Sequence, residues 1–289
     1  PKLRAMRQIV FGLGVAQVGV TLLVVMLLWM LFGGSMLTGF ALGSIAALSS
    51  TAIVSKLLTE RLELNAPHGQ MSIGILLFQD LAVVPLLILL PALAGDSSAL
   101  LYDLALALGK VAVVMAALFF VGQRLVRPWF HLVARQRSSE LFMINVLLVT
   151  LSVSWLTEMA GISLALGAFV AGMLISETEY KFQVEEDIKP FRDVLMGLFF
   201  VTIGVKLDLH ILVGLWWQVL LALVALLVIK ALIVGLLSWR LGTSPGNSIR
   251  SALWLCAGGE FGFVLLGEIV RMPRDIQQIA LTVLVLSML

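Results

Sequence analysis

The chain has 289 residues, 61% of them apolar and only 12% charged, against a soluble norm of roughly half apolar and about a quarter charged. At about 20 helical residues per crossing, this length holds about ten membrane spans and no sizeable soluble domain, which excludes a soluble enzyme or a nucleic-acid reader. The formal charge of +2 says nothing about partners until each charge is placed relative to the bilayer, and the lone Cys256 leaves no intramolecular disulfide within these residues.

The opening, Pro1-Lys2-Leu3-Arg4, has no short apolar stretch ending in a cleavage site, so no signal peptide is expected there. Apolar segments then fall at 9–32, 36–55, 71–94, 99–122, 141–157, 162–176, 191–205, 211–238, 249–270 and 276–289. The start without Met and the end inside an apolar run read as a piece excised from a longer chain. Segment 2 contains Gly43-Ser44-Ile45-Ala46-Ala47-Leu48-Ser49-Ser50-Thr51-Ala52, small and polar residues in mid-span. Segment 3 contains Gln79-Asp80, with Asp80 nine residues from Met71 at the cytoplasmic end, roughly 14 Å deep at about 1.5 Å per residue. In segment 4, Lys110 reads as a residue snorkelling to the outer surface. Glu177, Glu179, Glu185, Glu186 and Asp187 form an acidic cytoplasmic loop, read as a solvated face or a regulatory contact. Segment 8 carries Lys230, nine residues from Trp239 and so at a depth matching Asp80. Segment 9 holds a second polar interruption, Cys256-Ala257-Gly258-Gly259-Glu260-Phe261-Gly262.

Lys and Arg set the orientation. Alternate connections, counted from the amino terminus, carry Lys2, Arg4, Arg7; Lys56, Arg61; Arg124, Arg127, Arg135, Arg137; Lys181, Lys189, Arg192; and Arg240, Arg250. The other set carries only Lys206, Arg271 and Arg274. Because cytoplasmic loops accumulate Lys and Arg, this 14 to 3 split places residue 1 inside and supports ten crossings.

The two interruptions suggest an inverted repeat, with units at 9–94 and 211–289. Ser50 lies about 30 residues beyond the middle of segment 1, and Gly259 about 33 beyond the middle of segment 8. Segment 2 enters from outside and segment 9 from inside, the arrangement in which broken helices cross near the midplane. Their carbonyl-rich ends attract cations and their amide ends oppose them. The competing reading is that small residues merely permit close packing.

An acid in mid-membrane is costly, and burial disfavours its charged form while a nearby cation favours it. Asp80, with Lys230 as its charge partner, can therefore exchange a proton for a metal cation; the competing reading is a structural ion pair. Gln79 would add a neutral amide oxygen. Ser49, Ser50 and Thr51 offer hard oxygen ligands for an alkali ion, or serve packing. Glu260 would either accept from amides freed at its own interruption or handle protons directly. One titrating acid predicts electroneutral one-for-one exchange. A cation channel would share these ligands but needs a continuous pore. An intramembrane hydrolase would lack a histidine base, since His68, His131 and His210 are expected in loops, and no Gly-x-Ser-x-Gly elbow is present, which leaves only a Lys to serve as base.

Four stretches resemble the cation:proton antiporter 2 family, especially its Kef-type potassium/proton members: Ser49-Ser50-Thr51-Ala52; Leu77-Phe78-Gln79-Asp80-Leu81-Ala82-Val83-Val84-Pro85; Asp187-Ile188-Lys189-Pro190-Phe191-Arg192-Asp193 running into Gly197-Leu198-Phe199-Phe200; and Gly258-Gly259-Glu260-Phe261-Gly262-Phe263. The resemblance implies an all-α polytopic sodium/proton-antiporter fold with an ion-binding core, a dimerisation domain and alternating access. It implies that Asp80 carries K+ or Na+ and H+, shaped by Gln79 and Lys230, with no cofactor in this fragment. It also implies a homodimer in lipid, further helices before residue 9, a cytoplasmic nucleotide-binding regulatory domain in the full-length chain, and a bacterial inner membrane.

Overall fold

A computed structural model describes residues 8–93, 100–136, 138–161, 163–269 and 272–289. Lys2, Arg4, Arg7, Arg137 and Arg271, used above for orientation, lie outside the described residues, as do the side chains of Lys110 and His210.

Among the described residues all regular structure is helical. A π-helical segment, Gln8–Leu13, leads into α1 (Gly14–Leu31), followed by α2 (Met36–Ala47), α3 (Thr51–Glu60), α4 (Pro67–Leu93), α5 (Leu100–Ala134), α6 (Ser139–Met159), α7 (Leu164–Ser176), α8 (Lys181–Val205), α9 (Leu209–Arg240), α10 (Pro245–Leu255), α11 (Phe261–Gly267) and α12 (Arg274–Met288). Each of the ten apolar segments falls on these helices; the second is divided between α2 and α3, and the ninth between α10 and α11. Among the described residues, six stretches are long and apolar enough to cross a membrane: Phe11–Leu31, Met36–Glu60, Pro67–Pro91, Ala112–Ala134, Ser139–Met159 and Val213–Arg240.

Helix ends follow local chemistry. Ser35, Ser50, Ser138 and Ser163 cap α2, α3, α6 and α7, each hydroxyl accepting from an amide three residues on. Gly33 and Gly242, at φ +81° and +90°, close α1 and α9 in the left-handed region that side chains avoid.

Several elements run further than the apolar pattern predicts. Helix α5 continues through Arg124 and Arg127 to Ala134, and α8 begins at Lys181, so Glu185, Glu186 and Asp187 are helical rather than in a loop. His68, His131 and His210 likewise stand in α4, α5 and α10's predecessor α9, not in loops. Glu, Lys and Arg are good helix formers, so a helix need not stop where its apolar run does.

The chain divides into two compact units, one holding α1–α4 with α9–α12, the other α5–α8. In the first, α1 and α2 approach closely because Gly43 lies against α1: a Cβ there would sit 2.5 Å from the Leu22 carbonyl oxygen. Ile75 and Leu76 of α4, Val234 of α9 and Leu255 of α10 form a fully buried core. In the second unit, Phe130 and Phe142 meet edge to face at 5.4 Å, and His131 Nδ1 lies 2.9 Å from the Tyr180 hydroxyl.

Candidate ion-binding site

The site lies within the first unit, where two helices are interrupted. Break 1, Leu48–Ser50, separates α2 from α3, and break 2, Cys256–Glu260, separates α10 from α11. The Ser50 amide donates to the Gly258 carbonyl at 3.1 Å, and the Ser49 hydroxyl donates to the Leu255 carbonyl at 2.9 Å. Backbone groups freed from their own helices thus find partners across the gap, as a buried chain requires. The approach depends on Gly259, where a Cβ would fall 2.6 Å from the Ser49 carbonyl carbon. The Gly258 amide donates to Ser287 Oγ of α12 at 3.0 Å.

Lys230 is fully buried. Its ammonium donates to the Leu48 carbonyl and, at 2.8 Å, to the Ala257 carbonyl. Leu48 terminates α2 and Ala257 lies just beyond α10, so one cation neutralises the carbonyl-rich ends of both helices. The pairing expected with Asp80 is not seen: the Lys230 ammonium is taken up by these two carbonyls instead. Matched depth on two helices did not place the charges together, because two converging helix ends attract the ammonium more directly.

Asp80 instead accepts from the Thr51 hydroxyl, at 3.0 Å to Oδ1 and 3.2 Å to Oδ2. It is partly exposed, whereas Gln79, Ser49 and Ser50 are buried. One residue beyond Asp80, the Leu81 carbonyl loses its helical donor because Pro85 has no amide hydrogen.

The structure gives Gln79 a different task from the one expected. Its Oε1 accepts from the Ser49 amide at 2.7 Å, and its Nε2 donates to Gln17 Oε1 at 2.8 Å. The amide oxygen faces backbone, not the Asp80 carboxylate. Ser50 Oγ accepts from the Ile53 amide at 3.2 Å, capping α3. Glu260 precedes α11 but makes no cap hydrogen bond, and its Oε2 is buried without a hydrogen-bond partner, so the expected acceptance from freed amides is not seen.

Gln17, fully buried in α1, was missed from sequence, although a lone amide within an apolar span is itself a signal. Ser287 was missed too, with only a hydroxyl near a helix end to mark it. Among the described residues no three His, Cys, Asp or Glu side chains gather as transition-metal ligands. The oxygens at hand are carboxylate, hydroxyl and carbonyl, the donors suited to hard cations.

All 289 residues match the transmembrane domain of the sodium/hydrogen exchangers. The chain belongs to the sodium/hydrogen exchanger family. This exchanger-family domain is 42% identical over 98% of its length to a protein of Alkalimonas amylolytica provisionally named K(+) efflux antiporter KefB. It is 44% identical over 93% of its length to K(+) efflux antiporter 1, chloroplastic, of Arabidopsis thaliana, and 42% identical over 93% to K(+) efflux antiporter 2, chloroplastic, of the same plant. The domain spans 44%, 23% and 24% of these relatives, respectively. The Kef-type resemblance of its motifs therefore stands, and with it a multi-pass membrane protein of an exchanger family rather than an enzyme.

Proposed function

We propose that this domain exchanges a monovalent cation for H+ by secondary active antiport, the two ions competing for Asp80. The observation that carries the reading is the placement of Lys230. Its ammonium is held by the Leu48 and Ala257 carbonyls, so among the described residues no cation is seen paired with Asp80, and a mobile cation or a proton can compensate the carboxylate. Asp80 and the Thr51 hydroxyl would supply the first oxygen ligands, with Ser49 and Ser50 lining the same break and Gly258, Gly259 and Glu260 forming the facing one. Gln79 shapes the break, and Lys230 braces both breaks through the carbonyls it holds. Swapping one monovalent ion for another at one acid makes the exchange electroneutral. The names of the relatives favour K+ over Na+ as cargo.

The domain adopts ten crossings with residue 1 in the cytoplasm, in keeping with the 14 to 3 distribution of Lys and Arg. Residues 9–94 and 211–289 act as inverted repeats: each runs as a long helix, a helix pair around a break, and a further helix. Alternating access about their crossed breaks exposes Asp80 to one side at a time. The intact protein works as a homodimer in lipid with a cytoplasmic nucleotide-binding regulatory domain, in keeping with relatives more than twice as long. Its membrane is the bacterial inner membrane, by the Alkalimonas relative.

The test is reconstitution of the intact protein in proteoliposomes. An imposed K+ gradient should change the lumenal pH in wild type and leave it unchanged in Asp80→Asn. Coupled exchange in the variant, or cation current without proton movement in wild type, would contradict the proposal.

A further inference from the structure

The amides of Gln17 and Gln79 close a hydrogen-bonded loop around break 1. Gln17 Nε2 donates to the Ala47 carbonyl at 3.1 Å and to Thr21 Oγ1 at 3.2 Å. Gln79 Nε2 donates to Gln17 Oε1, and Gln79 Oε1 accepts from the Ser49 amide. Both glutamines are buried, at 0% and 1% exposure. In an uninterrupted helix the Ala47 carbonyl would accept from residue 51 and the Ser49 amide would donate to residue 45. The break removes both bonds, and two side chains from two other helices restore partners to both groups.

The loop runs in one direction only. The Ala47 carbonyl can only accept, so it requires the NH2 of Gln17 and turns the Gln17 oxygen toward α4. That oxygen in turn requires the NH2 of Gln79. The Gln79 oxygen is then presented to the Ser49 amide, which can only donate. Flipping either amide sets donor against donor or acceptor against acceptor in a buried place, where a lost partner is most costly.

We infer that Gln17 is a positioning residue: with Gln79 it splices the ends of break 1 and so holds Thr51 against Asp80. The inference rests on the reading of Asp80 as the ion carrier, and it places on α1 a determinant of apparent cation affinity that touches neither the carboxylate nor its hydroxyl donor.

A charge-swap cycle in the intact protein tests it. In Gln79→Glu, a carboxylate oxygen faces the Gln17 oxygen; in Gln17→Lys, an ammonium faces the Gln79 NH2. Each change alone should lower Tm and raise the apparent KM for K+ by roughly tenfold, the effect of one mismatched buried hydrogen bond. Combined, the ammonium can donate to both the Ala47 carbonyl and the new carboxylate, whose other oxygen still accepts from Ser49. The double variant should therefore recover most of both losses. Additive losses in Tm and KM would overturn the inference. Recovery of Tm without recovery of KM, in a protein that exchanges K+ for H+, would reduce Gln17 to a structural residue and overturn the positioning role. Recovery of Tm in a protein whose wild type shows no exchange would leave the splice in place and refute the antiport reading instead.

Discussion

The Thr51 hydroxyl straddles the Asp80 carboxylate, sharing its hydrogen between oxygens 3.0 and 3.2 Å away. A hydroxyl that donates to a carboxylate supports its charged form, the form that binds a cation, and hydrogen bonds to charged groups contribute about 1.5–3 kcal/mol. Thr51→Val keeps the shape and removes the donor. Its apparent KM for K+ should rise roughly tenfold or more while maximal turnover changes much less, as read from K+ titrations of proton movement in proteoliposomes. An unchanged KM would remove Thr51 from the site.

Lys230 joins the two breaks through the Leu48 and Ala257 carbonyls. Lys230→Met fills similar space but leaves both carbonyls without this donor, at a cost of about 1–3 kcal/mol for each orphaned acceptor. Thermal unfolding in detergent should show a marked fall in Tm. The companion variant Asp80→Asn should leave Tm nearly unchanged, because the two charges are not paired.

The glycines of break 2 should differ in tolerance. At Gly259 an added methyl meets backbone, 2.6 Å from the Ser49 carbonyl carbon and 2.7 Å from its oxygen, which cannot yield without moving break 1. At Gly258 the nearest atoms are Leu284 Cδ2 at 2.7 Å and Ser287 Oγ at 2.9 Å, the ends of side chains that can turn aside. Gly259→Ala should cost about 1–3 kcal/mol, and Gly258→Ala clearly less, measured by parallel melts.

Outside the membrane segments, Glu63 lies 3.0 Å from His68 Nε2, and that hydrogen bond holds its carboxyl below the usual range. A carboxyl lowered on folding stabilises the protein above its unfolded value near pH 4 and loses that contribution as pH falls through the lower folded value. Wild type should therefore melt above Glu63→Gln at neutral pH, and the gap should close on acidification. A gap that persists below pH 3 would assign the difference to something other than this charge.

Parts of this arrangement were legible in the sequence because they violate local rules. Asp80 is an acid in an apolar run, and Ser49-Ser50 and Gly258-Gly259 are helix-breaking pairs where a helix is otherwise mandatory. Those signals depend on neighbours in the chain alone. The partners of Lys230 and Gln79 were not legible, because a long side chain selects its target from what other helices bring near. Lys230 reaches Leu48 across 182 residues, and Gln79 reaches Gln17 across 62. The ends of α5 and α8 were missed for the opposite reason: their charged residues are good helix formers, and apolarity marks where a helix is buried in lipid rather than where it stops.

In the proposed exchange the Asp80 carboxyl holds a proton or an alkali ion but not both. Stoichiometric proton release on K+ addition tests it most directly, using purified intact protein in weakly buffered detergent solution near neutral pH. Proton release should saturate with K+ in wild type and vanish in Asp80→Asn. K+ binding without proton release, or equal release from the variant, would contradict it.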